Sequence, residues 1–160
     1  MLENLLAGYH TRHWIPPRQY FLHGAAFQED RRRCRELAMD LLDFVGLRHR
    51  ASIAAGSLSY GEQRLLEIAR ALATAPRLLM VDEPAAGLNA TEVAALLLRI
   101  TDLRQRGITV VLVEHNMDLV MTVADRILVM DYGQFLFEGT PAEVQKHPKV
   151  ITAYLGADIP

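Results

Sequence analysis

Leu58-Ser59-Tyr60-Gly61-Glu62-Gln63 opens an amphipathic segment that runs to Ala75 and gives way to Leu78-Leu79-Met80-Val81-Asp82-Glu83-Pro84. Ser59 followed three positions later by Glu62 is the pattern of a capping box, in which each residue's side chain accepts the other's backbone N–H. A helix should therefore start near Tyr60, with Leu65, Ile68, Ala69 and Leu72 as its buried stripe. Leu78 to Asp82 is a short continuous apolar run, as expected of a strand buried on both faces. Asp82 and Glu83 close it, and Pro84 keeps Glu83 out of the helical region. Each stretch has a bland reading: a capped helix, and a strand running into a loop. The functional readings are an anion at the helix's positive end, helped by the Ser59 hydroxyl, and a ligand at the strand end. Successive strand side chains point opposite ways, so one carboxylate can hold a metal while its neighbour faces a water.

Downstream, Thr91 to Arg106 reads as a helix with Val93, Leu96, Leu97 and Ile100 inward and Gly107 ending it. Thr109 to Glu114 is a second β-branched strand, so strand, helix and strand form a βαβ unit with a parallel sheet. His115 ends that strand; neighbouring strand ends lie ~5 Å apart, which would bring it within reach of whatever Asp82 and Glu83 bind. Alone, such a histidine is more often a helix-capping or surface residue. His10, His13, His23, His49 and His147 show no metal-ligand spacing. Asn116 to Ala124 gives a helix, and Arg126–Met130 and Gln134–Glu138 flank a hairpin turn at Asp131-Tyr132-Gly133. Thr140-Pro141-Ala142-Glu143 is a further capping box, and short terminal helices follow, broken at Pro148.

Upstream the texture is helical. Leu2, Leu5 and Leu6 share a face, and Glu29 to Val45 places Leu37, Leu41, Leu42 and Val45 on another, with Gly46 as the stop. The loop-like stretch between them holds Trp14, Pro16, Pro17, Tyr20, Phe21, His23 and Gly24, a satellite core or a partner surface. Residues 1–75 thus read as a helical region and 76–160 as alternating strands and helices.

A formal charge of -2 gives no electrostatic case for nucleic acid. The single cysteine, Cys34, excludes an intramolecular disulfide and fits a reducing compartment; the arginines around it could lower its pKa, although a bystander thiol is the simpler reading. No apolar run reaches the ~18–20 residues that span a bilayer, and Met1-Leu2-Glu3-Asn4 lacks a basic signal-peptide start. A cytoplasmic protein is expected, with any membrane contact made through a partner.

Together these residues resemble the ABC ATPase family. Leu58 to Gln63 is similar to its signature motif, Leu78 to Glu83 to its Walker B strand with the catalytic glutamate, Ala86-Gly87-Leu88-Asn89 to its D-loop, and Glu114-His115 to its switch histidine. The resemblance covers essentially the whole chain. Tyr60, Glu62 and Asn89 depart from the general Gly, Gln and Asp. With Pro84-Ala85-Ala86-Gly87-Leu88-Asn89 and the ending from Gly139 through Ala153-Tyr154-Leu155-Gly156, they resemble the ATPase subunits of branched-chain amino-acid importers.

The resemblance implies an α/β fold, the C-terminal portion of a P-loop NTPase nucleotide-binding domain: a helical subdomain with the signature over 1–75, then a partial, mainly parallel sheet over 76–160. It implies two such subunits sandwiching two ATP molecules, docked on integral-membrane permease subunits at the inner face of the membrane. Asp82 would act on Mg²⁺ through water, Glu83 would polarise the attacking water, and His115 would contact the γ-phosphate. Ser59, Tyr60, Gly61, Glu62, Gln63 and Asn89 would serve nucleotide binding, with Ser59 and Gly61 on the γ-phosphate held by the opposite subunit. Asn89, lacking a carboxylate, would act there by hydrogen bonding. No G-x-x-x-x-G-K-[ST] occurs in the 160 residues; Gly56 to Gly61 has the spacing but is followed by Glu62. The expectation is that the phosphate loop and the glutamine-containing loop, roughly the first third of the domain, lie outside this sequence. The chain alone is then expected to be inactive, with an uncovered apolar sheet edge or face that promotes self-association or marginal stability. Three functions are therefore in play: the importer ATPase itself, a non-catalytic partner offering its signature in trans, and a generic α/β binding domain.

Overall fold

The computed structural model describes residues 1–9 and 25–154. The aromatic stretch around Trp14 and the Leu155-Gly156 ending lie outside the described residues. The chain divides into two compact units, Met1–Val111 and Leu112–Pro160.

The first unit begins with α1 (Leu2–Tyr9), α2 (Ala25–Phe44) and α3 (Tyr60–Leu72), which pack on one another. Gly8 sets the approach of α1 to α3: a Cβ there would lie 2.8 Å from both the Ala73 Cβ and the Arg70 carbonyl oxygen. Leu5 and Leu42 are fully buried in this unit. In α2 the inward stripe is Ala38, Leu42 and Val45 with Leu41 half-buried, whereas Leu37, expected on that face, is exposed. Gly46 ends the segment at φ +78, a conformation open to glycine at little cost. In α3 the buried residues are Gly61, Leu66, Ile68, Ala69 and Leu72; Leu66 takes the place expected for Leu65, which is half-buried. Cys34 sits half-buried on α2, where burial first and Asp30 next push its thiol up and Arg33 opposes them. The arginines around Cys34 therefore do not lower its pKa, since burial and Asp30 outweigh Arg33.

Strand β1 (Leu78–Asp82), helix α4 (Ala90–Gln105) and strand β2 (Thr109–Val113) follow, with β1 and β2 paired in a two-stranded parallel sheet. Leu96, Ile100 and Leu103 bury the inner face of α4, with Val93 and Leu97 half-buried. Phe44 lies beneath two guanidinium groups, Arg99 at 5.7 Å and Arg106 at 4.3 Å from its ring centre. The expectation of a strand buried on both faces is not met. Leu79 is buried, but Leu78 is 49% and Met80 71% exposed, and Val111 and Val113 repeat the pattern on β2. The side chains alternate as a pleat requires, with Leu78, Met80, Val111 and Val113 exposed, so one face of the sheet is open.

In the second unit α5 (Met117–Val123) precedes β3 (Ile127–Asp131) and β4 (Gln134–Gly139), an antiparallel hairpin whose register closes at Asp131 opposite Gln134. Tyr132 and Gly133 form its two-residue loop, both at positive φ, as the twist-matched hairpin turn demands. Helices α6 (Pro141–Val144) and α7 (Pro148–Tyr154) complete the unit. Ile127, Val129, Val144 and Val150 form its core, with Met117, Val120, Met121 and Leu136 packed around them. Glu143 accepts from the Thr140 N–H at 2.7 Å and from its hydroxyl at 2.8 Å, which holds the Glu143 carboxyl below the ordinary carboxylate range.

Candidate functional site

The start of α3 is bonded as its sequence requires. The Ser59 hydroxyl accepts from the Glu62 N–H at 3.2 Å, and the Glu62 carboxylate accepts from the Ser59 N–H at 2.9 Å. Gln63 turns back on the loop, its side-chain nitrogen donating to the Leu58 carbonyl at 3.0 Å. Gln63 N–H to the Ser59 carbonyl is the first backbone bond of the helix, so the N–H groups of Tyr60 and Gly61 precede the helical ladder. The positive end of the dipole and these early donors make the turn suited to an anion.

Tertiary partners tie this turn down further. Arg50 reaches the outer Glu62 oxygen at 3.0 Å. Arg64 donates to the Tyr60 hydroxyl at 2.7 Å, sits 5.0 Å over the centre of its ring, and pairs with Glu67 at 2.9 Å. The Glu67 bond and then the Tyr60 bond hold the Arg64 guanidinium even more firmly protonated.

Asp82 ends β1 and is exposed, as is Glu83. Glu83 adopts φ +41, so the backbone leaves the strand through the left-handed region rather than the extended one that Pro84 favours. For a non-glycine residue this costs of order 1–3 kcal/mol, and such positions cluster where a side chain must be aimed. The turn beyond closes with Ala86 N–H to Glu83 O and Leu88 N–H to Ala85 O, both at 3.1 Å, and passes Gly87 at φ +74. Asn89 then caps α4: its side-chain oxygen accepts from the Glu92 N–H and the Glu92 carboxylate accepts from the Asn89 N–H, each at 3.0 Å. The Asn89 side-chain oxygen is thus engaged in holding its own helix.

These two capped turns touch. A Cβ at Gly61 would run into the Glu92 side chain, 2.6 Å from its Cδ. A Cβ at Gly87 would stand 3.3 Å from the edge of the Tyr60 ring. The structure therefore gathers Ser59, Tyr60, Gly61, Glu62, Gln63, Gly87, Asn89 and Glu92 around one junction. A shallow cleft of about 240 Å³ beside β1 is lined by Arg64, Glu67, Met80, Asp82 and Pro84 among others. His115 follows β2 and is exposed, one residue before Asn116, which caps α5 by accepting from the Leu119 N–H at 3.2 Å. His115 belongs to the second unit, and Asp82 and Glu83 to the first.

Among the described residues no group of three or more His, Cys, Asp or Glu side chains could hold a metal ion. Asp82, an exposed carboxylate at the end of β1, has the oxygen-donor chemistry that Mg²⁺ takes, one or two carboxylates with waters and phosphates in its other positions.

Sequence reasoning missed Arg50, Arg64 and Glu92. Asn89 with Glu92 three residues later repeats the Ser59–Glu62 pattern and was open to the same inference. Arg50 carries no local signal, because its partner lies across a loop.

Comparison with known proteins gives this arrangement its context. The family model for "ABC transporter" matches residues 3–86, and that for "Branched-chain amino acid ATP-binding cassette transporter" matches 136–159. The high-affinity branched-chain amino acid transport ATP-binding protein BraF of Pseudomonas aeruginosa is 46% identical over 160 residues, an alignment covering 97% of this chain and 61% of that protein. LivG of Escherichia coli, described in the same words, is 41% identical over 157 residues, covering 98% of this chain and 62% of LivG. The chain thus spans about three-fifths of the length of these curated relatives. A crystal structure of the ADP conformation of an ATP-binding cassette of an ABC transporter superposes with a TM-score of 0.75 at 32% identity, covering 97% of this chain and 62% of that one. A nucleotide-free ATP-binding cassette gives a TM-score of 0.76 at 33% identity, covering 96% and 61%.

Proposed function

The chain belongs to the ABC transporter ATP-binding family, and from that premise we propose that it is part of the ATP-hydrolysing subunit of an importer for branched-chain or other hydrophobic amino acids. The observation that carries the reading is the junction itself: a helix start built to meet an anion, seated on the turn that leaves a strand ending in two carboxylates. The 41–46% identity to BraF and LivG supports the importer class.

In this reading residues 1–75 form the helical subdomain and 76–160 the second half of the ATPase core. Asp82 holds Mg²⁺ through water, and the Glu83 carboxylate orients the attacking water and draws on its proton. His115 contacts a γ-phosphate. The Ser59 hydroxyl and the N–H groups near Gly61 face the γ-phosphate bound by a second ATP-binding subunit, with Tyr60, Glu62, Gln63 and Asn89 shaping that contact. Bound Mg²⁺ supplies charge neutralisation to a phosphoryl transfer to water, a reaction catalysed mainly by positioning and electrostatics. Permease subunits would hold the assembly at the inner face of the membrane.

A second reading applies to these 160 residues taken by themselves, in which no G-x-x-x-x-G-K-[ST] occurs. In it the chain offers its signature turn in trans to an intact subunit and binds no nucleotide itself. Phosphate release with Mg²⁺ and ATP separates the readings. The chain alone should show no turnover above background, and adding it to an intact homologous subunit should change that subunit's rate, an effect lost in Ser59→Ala. Turnover by the chain itself that disappears in Glu83→Gln would overturn its inactivity in isolation. A Ser59-independent mixture would overturn the role in trans.

A further inference from the structure

Tyr60 stands where the family's general pattern has glycine, and its surroundings give it work beyond contacting a nucleotide. Three observations meet on it. Its ring edge seats against Gly87, close enough that a Cβ there would be 3.3 and 3.6 Å from Cε1 and Cδ1. Its hydroxyl accepts from Arg64 at 2.7 Å, and the same guanidinium lies 5.0 Å above its ring centre. Arg64 adopts this pose although its Nε is buried without a hydrogen-bond partner, so the remaining contacts must outweigh that loss. A bonded hydroxyl, a cation over one face and a backbone against one edge leave the ring few orientations.

Gly87 lies between Glu83, at φ +41, and Asn89, the cap of α4. Its own φ of +74 is one that a side chain would strain, and a Cβ would also press on the ring. The turn from Glu83 to Asn89 is closed by two single-turn backbone bonds, Ala86 to Glu83 and Leu88 to Ala85. The turn starts at an exposed carboxylate, and its Gly87 borders the Tyr60 ring.

We infer that Tyr60, locked by Arg64, is a positioning residue for the Glu83–Asn89 turn, and so holds the strand-end carboxylate in register with the start of α3. The coupling is packing within one unit of the fold and does not depend on the ATPase reading, which only gives it a use. It predicts that the turn's order follows the aromatic ring at position 60 rather than the polarity there.

Amide exchange by NMR on the full 160-residue chain tests this, comparing wild type with Tyr60→Phe, Tyr60→Ala and Arg64→Met. Loss of the ring and cation contacts in Tyr60→Ala should speed exchange of the Ala86 and Leu88 amides about tenfold. The Ile100 and Leu103 amides of α4 should stay within about twofold. Tyr60→Phe keeps the stack and should remain near wild type, with Arg64→Met between. The Gly87 Hα resonances should move in Tyr60→Ala, as the ring current is lost, and hold in Tyr60→Phe. The proposal is overturned if Tyr60→Ala leaves Ala86, Leu88 and Gly87 unchanged, if Tyr60→Phe perturbs them as much as alanine does, or if α4 loses protection in parallel. The assay contains no nucleotide, so failure of the ATPase reading cannot produce any of these outcomes.

Discussion

The start of α3 and the end of β1 lie on either side of one junction, yet the chain builds them in opposite ways. Around Ser59 to Gln63 the side chains engage one another and their neighbours: serine with glutamate, glutamate with Arg50, glutamine with the loop carbonyl, tyrosine with Arg64. At the end of β1, Asp82 and Glu83 face outward, and the backbone leaves through a conformation that non-glycine residues avoid. The contrast teaches that this molecule orders the turn at Ser59 with its own side chains, while Asp82 and Glu83 sit exposed where the backbone leaves the strand at a positive φ on Glu83. A turn made rigid before a ligand arrives loses little entropy on binding, whereas charged oxygens meant for a metal or water must stay accessible.

If that contrast is right, stability should respond strongly on one side and weakly on the other. The largest effect is expected from Gly8→Leu, which would drive side-chain atoms into Arg70 and Ala73 at the far end of α3. It should cost about 3 kcal/mol, read as a lowered urea midpoint, because backbone rather than a flexible tip must yield. Ser59→Ala removes a working cap and should cost about 1 kcal/mol in the same titration. Asp82→Asn, at an exposed site, should change stability by no more than about 0.5 kcal/mol. Equal losses for these two would erase the distinction between the regions.

Glu83→Gly probes the other side directly. Glycine accepts positive φ without strain, so this variant should gain about 0.5–1 kcal/mol even as it discards the carboxylate. A loss instead would mean that the Glu83 side chain anchors the turn. The smallest effect lies in the second unit, where bonds from Thr140 hold the Glu143 carboxyl low. A depressed folded-state value contributes stability in full above the ordinary carboxylate range, about 4.3, and loses it as pH falls through the folded value. Comparing urea midpoints at neutral and acid pH, Glu143→Gln should show a slightly shallower decline than wild type.

Local chemistry made much of this legible in advance. Ser59 with Glu62, Thr140 with Pro141 and Glu143, and the Gly46 and Gly107 stops each act within one turn of backbone, so their patterns survive in any context. The hairpin at Tyr132-Gly133 was visible for the same reason. Leu37, Leu65, Leu78 and Met80 were read as more buried than they are, because periodicity records which residues share a face and not what covers it. The candidate residues Ser59, Asp82, Glu83 and His115 were found by type and order. That Asn89 spends its side-chain oxygen on a cap was not expected, although the glutamate three residues on was there to be seen.

From its order of residues alone, then, the chain specifies its helices, strands, caps and family, since these rest on backbone sterics and hydrogen bonds between near neighbours. Three-dimensional packing settles the rest: Arg50 on Glu62, Gly61 against Glu92, and the Tyr60 ring on Gly87. Those contacts join residues separated by loops and whole elements. Their geometry depends on how close two helices come, and no local period encodes that distance.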